Sequence, residues 1–394
     1  MKKQTQAIHL EYERRDAYDS LSVPVYNTLA YEFDNAAIMA EAFTDKIKAP
    51  DYSRVENPTV TNLERRVAAL TDAAHATAFN SGMAAISNTL MALAAQGKNI
   101  VTSKHLFGNT YALLVATLRR FGVKVRLRDL TNIEAVREAI DDDTCCVFLE
   151  ILTNPQLEVA DLKAISEVAH EKNVPLVVDS TVIPFTQFSA KNLGVDIEVV
   201  SSSKYISGGA TSLGGLVIDY GTPYNGDFAK RLYGEMLFNF GAYMTPQVAY
   251  MQTIGLETLD ARYRVQSSNA LELAKKLRTL PQIQYVNYVG LEDNPYHELA
   301  QRQFGKTAGA MICIDLESKE ACFSFLNNLK LIHRATNLFD NRSLAIHPAS
   351  TIFGAFSESM RKSMDVKDTT IRLSVGLEDV DDLFEDIKQA VDNL

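Results

Sequence analysis

At 394 residues, with 46% hydrophobic and 22% charged residues, the chain is long enough for two or three domains and has an ordinary globular composition. Its net charge of −10 argues against a nucleic-acid surface, which needs clustered lysine and arginine. No run approaches the roughly 20 apolar residues that span a bilayer, so no membrane partner is expected.

The N-terminus, MKKQTQAIHLEYERRD, has two lysines without an apolar run behind them, so no secretory signal is expected. The four cysteines, Cys145, Cys146, Cys313 and Cys322, form no CxxC pair. A zinc site is therefore not expected, and free thiols fit a reducing, cytoplasmic location. Residues 1–60 show no sustained period but carry Tyr26, Tyr31, Phe33, Phe43 and Tyr52. An arm with that much aromatic surface must bury it on its own domain or on a second subunit. Thr61 and Glu64 form a capping-box pattern, and Leu63, Val67 and Leu70 fall at helical spacing, so a helix is expected to start there.

From about 74 to 218, short apolar runs alternate with helical patterns. Strands are expected at 75–79, 99–102, 123–127, 145–150, 175–179, 196–200 and 213–219, with helices at 82–95, 110–121, 132–140 and 161–171 between them. Continuous apolar strands alternating with helices predict a mostly parallel sheet covered on both faces, with ligands at the carboxyl ends of its strands. After about 245 a long helix, 245–277, leads into a smaller α/β unit. Its strands are expected at 283–288, 309–316 and 370–375, with helices near 319–329 and at the C-terminus. The expected organisation is an arm over 1–60, a large domain over 61–245 and a second domain over 246–394.

Several residues stand where strands open into that crevice. Asn80-Ser81-Gly82-Met83 joins a strand to a helix start, where free N–H groups and the helix dipole suit an anion; such a glycine also serves as a plain turn. Asp179 ends the run PLVVD and is either a helix cap or the partner of a buried cation such as a pyridinium nitrogen. Thr153-Asn154-Pro155 reads as a turn. Val199–Gly215, VVSSSKYISGGATSLGG, sets Lys204 among serines ahead of a glycine-rich segment. The lysine is either a solvated loop residue or a nucleophilic amine beside an anion cup. Arg372, in TIRLSV, has apolar neighbours on both sides and needs a carboxylate, from the protein or from a substrate.

Together these motifs resemble the Cys/Met-metabolism family of pyridoxal-phosphate (PLP) enzymes, which includes cystathionine γ-synthase, cystathionine and methionine γ-lyases and the O-acyl-homoserine sulfhydrylases. YSRxxNPT (52–59), the SGMAAI helix start, the TNP turn, the strand into Asp179, SxSKY and IRLSVGLED occur in the family's order over nearly the whole chain.

The resemblance implies an α/β fold of the aspartate-aminotransferase type (fold type I), with a large, mostly parallel PLP domain and a smaller C-terminal one. It implies that Lys204 attaches PLP as a Schiff base and shuttles protons, and that Asp179 pairs with the pyridinium nitrogen. Ser81, Gly82, Met83, Ser201 and Ser203 would surround the phosphate, and Ser202 would face away without a role. Tyr52 and Arg54 would reach the phosphate of a neighbouring subunit, in a homotetramer built as a dimer of dimers. Asn154 and Thr181 would lie near the ring, and Arg372 would hold the substrate α-carboxylate.

Two departures bear on the reaction. Phe107, in LFGNT, stands where many relatives have a tyrosine; it can stack on the ring but cannot exchange a proton, which leaves Tyr52 of the next subunit as a candidate acid. Asn109 stands where methionine γ-lyases usually have cysteine, and Asn337 where relatives often have serine. The combination resembles the O-acyl-homoserine sulfhydrylases, so replacement of an acyl-oxy group by sulfide or a thiol is expected, with γ-elimination from methionine or cystathionine, or cystathionine γ-synthesis, as the rivals.

Overall fold

The computed structural model describes residues 1–10, 16–44, 46–306 and 308–394. Seven strands form the larger sheet: β1 His75–Phe79, β2 Asn99–Thr102, β3 Lys124–Leu127, β4 Thr144–Glu150, β5 Leu176–Asp179, β6 Ile197–Val200 and β7 Gly215–Asp219. Their order is β1-β7-β6-β5-β4-β2-β3. The inner pairs are parallel, while β7 runs against both β6 and β1. β1 therefore points the same way as β2–β6, and its carboxyl end joins theirs on one edge. The order reverses between β2 and β4, and such a switch point opens a crevice at the carboxyl ends of the strands.

Side chains alternate across the sheet, as strand geometry requires. Val147, Leu149, Leu176 and Val178 join one core, and Cys146, Phe148, Val177 and Val199 join the other. The first of these cores continues into the C-terminal part of the chain, which fixes the second sheet against the first. Truncating a fully buried core residue such as Phe148 to alanine would cost about 3–5 kcal/mol.

Helix α1 (Pro58–Thr71) starts three residues before the expected capping box. Asn57 is the cap, accepting from the Thr59 N–H at 3.0 Å, and Pro58 takes the first turn, where its missing N–H costs nothing. Glu64 is no part of a cap: half-buried, it accepts the Ala78 N–H of β1 at 2.7 Å. Helix α2 (Gly82–Leu93) follows β1 directly. The expected helix over 110–121 is broken into a helical turn Gly108–Ala112, a wider turn Leu113–Thr117 and a tight one Leu118–Phe121. The arm's first helix, Lys3–His9, lies on its own chain, where Lys3 Nζ donates to the Phe185 and Phe188 carbonyls.

Helix α3 (Pro246–Leu277, 32 residues) spans about 48 Å and carries the chain to the second sheet. That sheet comprises β8 Tyr285–Asn287, β9 Met311–Asp315, β10 His333–Arg334, β11 Leu344–Ile346 and β12 Thr370–Ser374, in the order β10-β11-β12-β9-β8. All its pairs are antiparallel except β10 with β11. Helices α4 (Lys319–Asn328) and α5 (Val380–Asp392) cover it, the latter burying Leu383, Ile387, Ala390 and Val391 on one stripe.

Candidate active site

The carboxyl edge of the large sheet gathers most of the expected residues. β6 delivers Ser201-Ser202-Ser203, and the chain turns tightly at Lys204, whose N–H bonds the Ser201 carbonyl at 3.2 Å. Tyr205 locks this turn. Its ring is buried, stacks on Phe339 at 4.0 Å and meets Tyr263 edge-on at 5.2 Å. The Tyr205–Phe339 stack brings the segment before Phe339 to the lysine, and Lys204 Nζ donates to Asn337 Oδ1 at 2.8 Å. Burial first, and the Arg372 charge second, pull the Lys204 amine down to about 8.

Arg372 comes from β12 and is only 2% exposed. Nη1 donates to Asn154 Oδ1, and Nη2 to the Thr336 and Asn337 carbonyls, each at 3.3 Å. Its Nε has no partner, and no carboxylate pairs with it among the described residues. Burial lowers its pKa to about 10. A buried cation without an acid is costly to keep, so the position suits an arriving anion. Asn337 thus stands between the amine and the guanidinium, with its side chain on one and its carbonyl on the other. Asn154 precedes a cis bond to Pro155, and its side-chain oxygen faces Arg372.

Asp179, at the end of β5, accepts the Thr181 N–H at 2.9 Å. Burial raises its pKa, and the Thr181 hydrogen bonds oppose that. No cation pairs with it among the described residues. Thr181 Oγ1 in turn accepts the Ser201 N–H at 2.8 Å, which ties Asp179 to the serine turn.

The residues expected around the phosphate lie at the start of α2 and in the turn after β6. Ser81 caps α2, accepting from the Ala84 N–H at 3.1 Å. Gly82 lies directly against Ser201: a Cβ at position 82 would sit 2.6 Å from Ser201 Cβ. Only glycine lets the helix start, with Met83 next, approach that hydroxyl. Ser203 has partners within the chain. Its hydroxyl donates to the Gly214 carbonyl at 3.1 Å and accepts the Gly214 N–H at 2.9 Å, because the glycine-rich segment folds back across it. Ser202 is fully buried beside Gly214.

Phe107 opens the turn after β2, and its N–H donates to Glu150 Oε1 at 2.5 Å. Tyr52 and Arg54 are not drawn into this cluster within the chain. Tyr52 is 39% exposed and lies beneath the Arg54 guanidinium, and Arg54 Nη1 donates to the Phe238 carbonyl at 2.6 Å. The sequence motifs assign no role to Glu150 and do not pair Tyr205 with Phe339. The strand end at 150 was a visible signal for the first, whereas the stack joins residues too distant in the chain to be paired by pattern.

Among the described residues no cluster suits a metal ion, and no helix is long and apolar enough to cross a membrane. A model of the Cys/Met metabolism PLP-dependent enzymes matches residues 4–392. An L-methionine gamma-lyase of Fusobacterium nucleatum subsp. polymorphum is 38% identical, over 99% of this chain and 98% of its own. The O-acetyl-L-homoserine sulfhydrylase of Corynebacterium glutamicum is 32% identical, over 98% of this chain and 95% of its own. A crystal structure described as an O-acetylhomoserine (thiol)-lyase of Campylobacter jejuni, which carries N'-pyridoxyl-lysine-5'-monophosphate, superposes with a TM-score of 0.95 at 34% identity and covers all of both chains. By motif order, by the architecture at the sheet edge and by these likenesses, the chain belongs to the Cys/Met metabolism family of PLP-dependent enzymes.

Proposed function

We propose that the protein catalyses γ-replacement on an O-acyl-L-homoserine, O-acetyl foremost, with sulfide or a thiol as acceptor, giving homocysteine or methionine. The observation that carries the reading is the pair Lys204 and Arg372 on either side of Asn337, with the buried arginine free of any protein acid among the described residues. That is a receptor for an α-amino acid: a carboxylate on Arg372, and Cα within the sphere of a lysine amine.

The residues fit PLP. The Gly82–Ser201 approach, with the first N–H groups of α2, would hold the phosphate; Asp179 would face the ring nitrogen, Phe107 and Thr181 would flank the ring, and Lys204 would carry the covalent bond. When bound, the cofactor supplies an electron sink for charge developing at the substrate Cα. Lys204 Nζ takes the Cα proton and then works at Cβ. An amine near 8 gives and takes protons at neutral pH, and Asn337 Oδ1 holds it when it is charged. Arg372 and Asn154 fix the α-carboxylate, which sets Cα beside Lys204.

The leaving group follows from Phe107. A carboxylic acid with a pKa of about 4 departs as its anion unaided, whereas a thiol with a pKa of about 8.5 or above leaves well only if an acid protonates it. A phenylalanine at this position therefore favours an acyl-oxy leaving group. The rival reading, γ-elimination from methionine, is favoured by the 38% identity to a methionine gamma-lyase. Supplying O-acetyl-L-homoserine with sulfide, and separately methionine alone, decides between them. Homocysteine from the first mixture supports replacement; rapid 2-oxobutyrate from methionine with no homocysteine from the first overturns it. On the same reading Tyr52, exposed here, and the half-buried Arg54 complete the phosphate site of a partner subunit in a cytoplasmic dimer of dimers.

A further inference from the structure

Glu150 is a buried acid at the centre of the candidate site to which the reading above gives no part. It ends β4 exactly where Asp179 ends β5, and the two are register partners on adjacent parallel strands, so their side chains leave the same face of the sheet. Glu150 is 6% exposed, while Asp179 opens further toward the crevice. The Glu150 carboxyl accepts the Phe107 N–H at 2.5 Å and also the Asn154 N–H. It therefore joins the loop after β2, the turn after β4 and the acid after β5. No cation pairs with Glu150 or with Asp179 among the described residues.

Two buried carboxylates side by side do not both ionise cheaply, and the better solvated one keeps the charge. We propose that Glu150 is a positioning residue that works as the neutral acid: its oxygens hold the Phe107 and Asn154 backbones, and its proton leaves Asp179 as the one negative charge offered to the cofactor ring. Burial, with the Asp179 charge second, pushes the Glu150 carboxyl up to about 8, in keeping with a proton held at neutral pH. The inference rests on the reading that the PLP ring lies between Phe107 and Asp179.

The test compares Glu150→Gln and Glu150→Ala with the wild type, by PLP dissociation constant and by the visible circular dichroism of bound PLP, which reports ring orientation. Glutamine reproduces a neutral side chain of the same shape, with an amide oxygen that can still accept a backbone N–H. It should stay within about threefold of wild type in PLP affinity and keep the visible band, whereas alanine should weaken PLP about tenfold or more and alter the band. Glu150→Gln as weak as Glu150→Ala, or both like wild type, overturns the proposal. Should the alanine variant not fold, infrared difference spectra of wild type against Glu150→Gln decide at neutral pH. Loss of a protonated-acid carbonyl band supports the proposal, and loss of a carboxylate band contradicts it. Asp179→Asn separates the two levels. If it leaves PLP affinity and spectrum unchanged, the ring placement itself is wrong; if it weakens PLP while the Glu150 variants give the overturning result, only the present inference falls.

Discussion

Two stretches of the same seam between the sheets treat charge in opposite ways. β9 and β12 pair so that Arg372 stands opposite Cys313 and Thr370 opposite Asp315, with all four side chains on one face. At the Thr370 end every charge is answered. Thr370 Oγ1 and Lys367 Nζ donate to Asp315 at 2.5 and 2.8 Å, and His105 lies between Glu158 and Asp365, bonding the latter at 2.7 Å. These residues line a cavity of about 310 Å³. Two residues along β12, Arg372 is buried with only neutral acceptors, and Lys204 faces an amide rather than an acid. A structural seam pairs its ions; a receptor leaves one unpaired for its ligand. The difference locates the substrate site more sharply than cavity volume does.

The largest expected effect lies at the unpaired end. Lys204→Ala should abolish the absorption band of lysine-bound PLP and lower kcat by about 10²–10⁴-fold or more, the usual range for a lost general acid–base group. Retained turnover would break the comparison at its root.

A second, smaller effect concerns the lysine's own proton. Covalent capture of PLP by the apoprotein needs the neutral amine. With Lys204 lowered to about 8, the capture rate should rise with pH to half its plateau near that value, whereas an ordinary lysine would still be climbing near 10. Removing the Arg372 charge should move the midpoint upward. Stopped-flow absorbance across pH measures both.

The smallest effect belongs to the paired end. Burial lowers the His105 pKa, but its bonds to Glu158 and Asp365 outweigh that and leave it raised. A raised histidine stabilises the fold fully below its unfolded pKa of about 6.5, and that contribution fades as pH climbs through the folded value. His105→Gln should therefore lower Tm more at pH 6 than at pH 9, by the equivalent of about 1 kcal/mol, with PLP binding untouched. An equal loss at both pH values would mean that the imidazole is not charged there.

Much of this was legible in the sequence. The alternation of apolar runs and helical periods located the large sheet, and the motif order located Lys204, Asp179, Gly82 and Arg372. The reversed direction of β7 was not legible, because strand periodicity carries no polarity. β10 and β11 are two and three residues long, too short to show a period. The capping box at Thr61 and Glu64 was a local match overridden by tertiary structure, since Glu64 serves β1 instead. Ser203 and Ser201 are alike by motif, and the motif does not reveal that Gly214 folds back across Ser203. The link from Asn337 to Lys204 crosses 133 residues and depends on one aromatic stack.

Among the described residues no acid pairs with Arg372, which leaves it to receive an α-carboxylate beside Lys204. The most direct test of that role is a visible-spectrum titration of the PLP-loaded enzyme with L-norvaline and with L-norvalinamide, which share the substrate skeleton and lack a leaving group. The wild type should bind the acid about 30-fold or more tightly than the amide, matching the roughly 2–5 kcal/mol of a buried charge pair, and Arg372→Leu should erase the difference while keeping the PLP band. Equal binding of the two by the wild type, or an undiminished preference in Arg372→Leu, would contradict it.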